Sequence, residues 1–213
     1  MPNFSIFRPK VISEFESRYS GTIQVRQGWG YKYVATGDLT QSGGVVADIW
    51  KPIVKKLEKG YSLKVSPFEA KWLILGLGCG TVARLIPQPA KIVSVEIDPV
   101  MLKIGKKYFD LDQIPNLKIL NIDAKDYLLK TKDRFDFVLV DLYLGDQCPE
   151  FLYTKRFLEK LGQLGQLVII NHLFYDEDKR SKAHKLTNLV SKYFSKVELV
   201  RVLTNLVIIA RHV

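Results

Sequence analysis

From Lys71 onward, short apolar runs alternate with helix-patterned stretches. Nothing else in the chain limits its fold as strongly. The segments "KWLILGL" (71–77), "KIVSVEID" (91–98), "LKILNID" (117–123), "FDFVLVDLY" (135–143) and "QLVIINHL" (166–173) read as strands. Between and after them, "TVARLI", "PVMLKIGKKYFD", "AKDYLLK", "PEFLYTKRFLEKLG" and "DEDKRSKAHKLTNLVSKYF" read as helices. Strands that are apolar throughout, separated by helices, predict an α/β fold with a mostly parallel sheet covered on both faces. The end, "KVELVRVLTNLVIIARHV", reads as two strands turning at "TN", an antiparallel hairpin.

The chain changes character near residue 65. Upstream, "GTIQVRQGWGYKYVATG" alternates apolar and polar residues on both sides of "QGWG", which predicts a short N-terminal β-hairpin. Trp29 falls at its tip, in a local packing role. A helix follows from about 43 to 59, with Pro52 inside it and a kink expected there. The expected division is a hairpin segment, 1–42, and a larger α/β domain, 43–213.

Composition narrows the function classes. Hydrophobic residues are 47% of 213, enough for a sizeable core, which excludes a disordered chain. No apolar run approaches a membrane span, and the start has no signal-peptide pattern. Two cysteines, Cys79 and Cys148, make neither a disulfide framework nor a metal-ligand set. A cytoplasmic protein with reduced thiols and no metal is expected. The net charge of +10 raises the odds of an anionic partner. Its lysines are spread over several helix-patterned stretches, so a solvated surface is favoured over a nucleic-acid face.

In sheets of this kind, ligands bind beyond the carboxyl ends of the strands. Polar residues collect there. The first strand runs into Gly76, Gly78 and Gly80, spaced two apart. The second ends in Glu96, Ile97 and Asp98, the third in Asp123 and Ala124, the fourth in Asp141 and Tyr143, and the fifth in Asn171 and His172. Glu96, 20 positions after Gly76, suits a carboxylate that accepts both hydroxyls of a ribose. Asp123 and Ala124 suit an adenine edge. The dinucleotide fingerprint needs glycine at position 81, which is Thr81 here. A single nucleoside with a charged tail is therefore favoured over a dinucleotide.

The strand–G-x-G-x-G–helix unit, the acid ending strand two, Asp-Ala after strand three and the C-terminal hairpin resemble a known family. It is the Rossmann-like class I S-adenosylmethionine-dependent methyltransferase fold, with a seven-stranded sheet. Within it, "GYKYVATGDLTQSGG", "FDFVLVD" and "FLEKLGQLGQLVIIN" resemble the spermidine synthase (polyamine aminopropyltransferase) group. The resemblance implies S-adenosylmethionine or its decarboxylated form as donor, and a homodimer. It implies a cofactor site of Gln41, Gly76, Gly78, Cys79, Gly80, Glu96, Ile97, Asp123, Ala124 and Asp141. Asp141 matches the group's catalytic aspartate, with Tyr143 and Asp146 as further acceptor contacts.

Two departures matter. Where the group carries an aspartate for the aminopropyl amine, this chain has Cys79; and the second acid after strand four, Asp146, comes late in "DLYLGDQCP". The expectation is therefore methyl transfer to a small, amine acceptor. Aminopropyl transfer in polyamine biosynthesis is the alternative, with Asp38, Asp141, Asp146 and Glu150 as an acidic acceptor pocket. A non-catalytic nucleoside-binding protein and an RNA methyltransferase are the further alternatives. Cys79 is expected to be a small packing residue, and Cys148, His184 and His212 to have no role. His172 is expected either in the pocket or as a satisfied loop histidine.

Overall fold

The computed structural model describes residues 9–28, 30–60 and 66–212. Trp29 lies outside them. Two sheets carry the architecture. Strands β1 (Lys10–Ser17), β2 (Gly21–Gly28), β3 (Tyr31–Thr36) and β4 (Leu39–Gly43) form an antiparallel sheet in that order. Helix α1 (Val45–Gly60) leads away from it. Then follow β5 (Lys71–Leu75), α2 (Thr81–Leu85), β6 (Lys91–Glu96), α3 (Pro99–Tyr108), β7 (Leu117–Asn121), α4 (Ala124–Lys130) and β8 (Phe135–Val140). The chain closes with α5 (Lys155–Leu164), β9 (Gly165–Leu173), α6 (Glu177–Tyr193), β10 (Lys196–Val202) and β11 (Asn205–Arg211).

The second sheet has seven strands in the order β10-β11-β9-β8-β5-β6-β7. Five are parallel, and the β10–β11 hairpin joins antiparallel through β11 against β9. This is the predicted α/β fold. Side chains alternate between two cores, as a period of two demands. Trp72, Ile74, Phe137, Leu139, Ile169 and Val207 pack under α1 and α2. Leu73, Leu75, Val138, Val140, Ile170 and Ile208 pack under α4, α5 and α6. Trp72 and Phe137, paired in register, stack with ring centroids 4.0 Å apart.

Three local features differ from expectation. The N-terminal hairpin is the centre of a four-stranded sheet. Its outer strands are weakly marked: β1 exposes most of its residues, and β4 is the short polar "LTQSG". Helix α1 runs on through Pro52. That proline and Asp48, the residue four earlier whose carbonyl it leaves without a partner, are both exposed to solvent. The stretch expected as one helix at 149–162 is a 3-10 turn at Glu150–Tyr153 followed by α5. Thr154 divides them, its hydroxyl accepting from the Phe157 N–H as an N-cap.

The N-terminal sheet is fastened over the carboxyl edge of the large one. Ile23, Val25 and Val34 pack on Met101 and Ile104 of α3. Asp98, only 2% exposed, caps α3 by accepting from the Val100 N–H at 2.9 Å. Its second oxygen accepts from the Ser17 and Ser20 hydroxyls of the β1–β2 turn, at 2.6 and 2.8 Å. Asp98→Ala removes a helix cap and strands two hydroxyls. We expect it to lower unfolding free energy by about 2 kcal/mol in urea titration. A loss below about 0.5 kcal/mol, the range of an ordinary surface change, would contradict this fastening.

Candidate functional site

The loop from β5 into α2 is shaped by close approach. Gly76 and Gly80 have φ of +91° and +92°. A Cβ on Gly76 would stand 2.2 Å from the Asp141 carbonyl oxygen, and one on Gly80 would stand 2.5 Å from a Leu111 methyl. Neither position admits a side chain. The Asp141 N–H donates to the Leu75 carbonyl and the Gly76 N–H to the Val95 carbonyl. The ends of β5, β6 and β8 are thus locked side by side.

Beyond these ends opens a cleft. Gln41, Gly76, Gly78, Glu96, Ile97, Asp123, Ala124, Asp141 and Tyr143 all line it. It is covered by the β1–β2 turn, β4 and the start of α1, through residues such as Tyr19, Leu39 and Val45. Strand order divides it. Glu96, Asp98, Asp123 and Ala124 lie on the β6–β7 side. Asp141, Asn171, Thr204 and Asn205 lie on the β8–β9–β11 side.

Glu96 is 8% exposed and accepts from the Gly78 N–H at 2.7 Å and the Asp98 N–H at 2.9 Å. Burial pushes its carboxyl up to about 7, against the pull of those backbone donors. Asp123 caps α4, one oxygen accepting from the Lys125 N–H at 2.6 Å. Asp141 is held by two neutral donors: the Trp50 indole N–H at 3.0 Å and the Asn171 amide at 2.9 Å. Asn171 in turn accepts from the Asn205 amide at 2.9 Å. Burial raises the Asp141 carboxyl above its ordinary range, and the two hydrogen bonds only partly offset it.

Gln41 ties the cover to the loop after β8. Its amide donates to the Thr36 hydroxyl at 2.9 Å and the Gly145 carbonyl at 3.3 Å. The Tyr143 hydroxyl donates to the Asn171 carbonyl at 3.0 Å, and burial raises it well above its ordinary value.

Other expected site residues do not line the cleft. Cys79 is 1% exposed; its thiol faces the Met101 carbonyl at 3.4 Å, packs with Ile104, and is raised by burial. Gly80 supports the loop from behind. Asp146 points to Lys179, whose ammonium stands 2.9 Å away; that hydrogen bond lowers its carboxyl. Asp38 and Glu150 are exposed and outside the lining. His172 is 1% exposed. Its Nδ1 faces the Leu173 carbonyl at 2.7 Å and its Nε2 the Tyr153 hydroxyl at 2.7 Å, the satisfied-histidine alternative. His184 and His212 pack edge-on and stacked against Phe174 and Phe194. Cys148 is pushed up to about 12 by burial.

Sequence reasoning missed Trp50 and Asn205 as partners in the Asp141 chain, and Lys179 as the partner of Asp146. Trp50 lay unremarked within the helix expected at 43–59, and Lys179 among the lysines assigned to a solvated surface. Only Asn171 had a signal, its place at a strand end. Among the described residues, no group of three metal-ligating side chains is present and no helix is long and apolar enough to cross a membrane.

The chain is 34% identical over 123 residues to a polyamine aminopropyltransferase of Vibrio vulnificus, covering 54% of this chain and 40% of that one. It is 34% identical over 142 residues to an eEF1A lysine and N-terminal methyltransferase homolog of Drosophila melanogaster, covering 57% and 21%. The chain thus spans less than half the length of either relative. The crystal structure of a spermidine synthase in complex with the transition state analogue AdoDATO superposes with a TM-score of 0.77 at 15% identity, covering 94% of this chain and 73% of that one. Residues 60–204 match the spermine/spermidine synthase domain. On that match, which takes in most of the α/β region and the carboxyl ends of its five parallel strands, the chain belongs to the spermine/spermidine synthase domain family.

Proposed function

We propose that the chain is a cytoplasmic transferase that binds decarboxylated S-adenosylmethionine and passes its aminopropyl group to a small amine. The carrying observation is that Glu96 and Asp141 face one cleft from opposite sides of the Gly76–Gly78 loop. The family match and the aminopropyltransferase relative favour this over the methyl transfer expected from sequence. That expectation leaned on Cys79 replacing an acid, and the Cys79 side chain is turned into the packing beneath β2 and β3. Methyl transfer from S-adenosylmethionine is the second reading, favoured by the equally identical methyltransferase relative.

The glycine loop leaves room beside Glu96, and Glu96 keeps lone pairs for two ribose hydroxyls. Asp123 and the Ala124 N–H would take the adenine edge. When bound, the donor supplies a sulfonium, already a good leaving group. The protein need only align the amine and accept its proton. Asp141 is suited to both: it is desolvated, raised, and oriented by Trp50 and Asn171. The C–N bond forms as the C–S bond breaks, the thioether keeps the electron pair, and the proton passes to Asp141. In this reading residues 1–42 serve as a cover and 43–213 as the transferase domain.

Methylthioadenosine should raise the melting temperature of the wild type by mass action. Glu96→Ala should abolish that rise, and an unchanged rise would remove Glu96 from the ribose site. Ribose hydroxyls favour the ionised carboxylate. Methylthioadenosine affinity should therefore climb as pH passes upward through about 7 and level off above it. Glu96→Gln should flatten this profile, and a flat wild-type profile would contradict the assignment. The same raised pKa works oppositely on folding. Native Glu96 holds its proton between about 4.5 and 7, so its contribution to stability grows as pH falls through that window. Asp141→Asn should keep methylthioadenosine binding and lower turnover by about 10²- to 10⁴-fold in an assay of methylthioadenosine release. Full turnover would exclude Asp141 as the base.

A further inference from the structure

We infer that the acceptor is a monoamine with an uncharged, largely apolar body, and not a linear diamine or polyamine. The inference rests on the transfer reading above and concerns the acceptor half of the same cleft. On the β8–β9–β11 side, Asp141 is the only carboxylate among the described lining residues. The other three lining acids, Glu96, Asp98 and Asp123, lie on the nucleoside side and already hold backbone N–H groups.

Beside Asp141, Leu142 and Leu144 of the same loop, with Leu39, Val45 and Leu173, add apolar lining to the cleft. The polar groups present are neutral and largely engaged. Asn171 and Asn205 form the chain that ends on Asp141, the Tyr143 hydroxyl donates to the Asn171 carbonyl, and the Gln41 amide donates to Thr36 and Gly145.

The next acid along the loop is Asp146, and the protein supplies that acid with its own ammonium. Lys179 reaches it at 2.9 Å from a side chain that is only 5% exposed. Tyr175 and Gln147 donate to the same carboxylate at 3.3 and 3.0 Å. A substrate amine at Asp141 therefore meets one carboxylate. A second ammonium on the same substrate would find no second carboxylate among the described lining residues of this side, a costly placement for a charge.

The test uses the full chain saturated with methylthioadenosine, titrated calorimetrically with butylamine and with terminal diaminobutane at about pH 8, where both are cationic. Butylamine should bind at least about tenfold more tightly, because the diamine must desolvate a second charge. Equal or tighter binding of the diamine overturns the inference, as does binding of neither amine. Leu144 is half exposed, so Leu144→Asp adds a second carboxylate to the wall without disturbing the core. It should shift the preference toward the diamine, and an unchanged ratio overturns the charge argument. Failure of the nucleoside reading would show separately, as an absence of methylthioadenosine binding, and would take this inference with it.

Discussion

The site depends on how closely the ends of β5 and β8 approach. The Asp141 carbonyl fills the space where Gly76 would carry a side chain, and the Asp141 N–H closes on the Leu75 carbonyl. That contact brings the Asp141 carboxylate to the rim of the glycine loop. From the other side, the Gly78 N–H donates to Glu96. One backbone crossing thus sets the relation between two carboxylates, Glu96 buried and Asp141 half-buried, and neither has a cationic partner among the hydrogen bonds and ion pairs of the described residues. Buried acids held by neutral donors keep raised pKa values. They are suited to receiving hydroxyls or a proton from a ligand.

The cover over this edge is polar where it meets the site and apolar where it meets α3. Ser17 and Ser20 donate to Asp98, the Ser42 and Thr81 hydroxyls meet at 2.7 Å, and the Gly43 N–H donates to Thr81. Ile23, Val25 and Val34 supply the hydrophobic contact. Thr81, which excluded the dinucleotide pattern, thereby gains a physical role: its side chain holds the end of β4 against the start of α2.

The inner strands of the large sheet, β5, β6, β8, β9 and β11, were legible because they are almost wholly buried and read as apolar runs, and the half-exposed edge strands β7 and β10 were placed by the helix and hairpin patterns beside them. The edge strands β1 and β4 were not legible, because half-exposed or very short strands lose that signal. In the site, the residues at strand ends were placed by topology alone, so Glu96, Asp123, Asp141 and the glycines could be named. Side-chain direction in a loop has no such signature, and Cys79, one residue from Gly78, points the opposite way from the cleft. Pairings across long sequence separations were equally silent. Nothing in the spacing joins Trp50 to Asp141, Ser17 to Asp98, or Lys179 to Asp146.

The central claim is that one cleft holds an adenosyl group on Glu96 and presents its sulfur toward Asp141. A crystal structure of the chain with methylthioadenosine tests it most directly. The account predicts both ribose hydroxyls within hydrogen-bond distance of the Glu96 carboxylate, adenine at Asp123–Ala124, and the thioether sulfur turned to the Asp141 side. A nucleoside bound elsewhere, or bound there with its ribose away from Glu96, would contradict it.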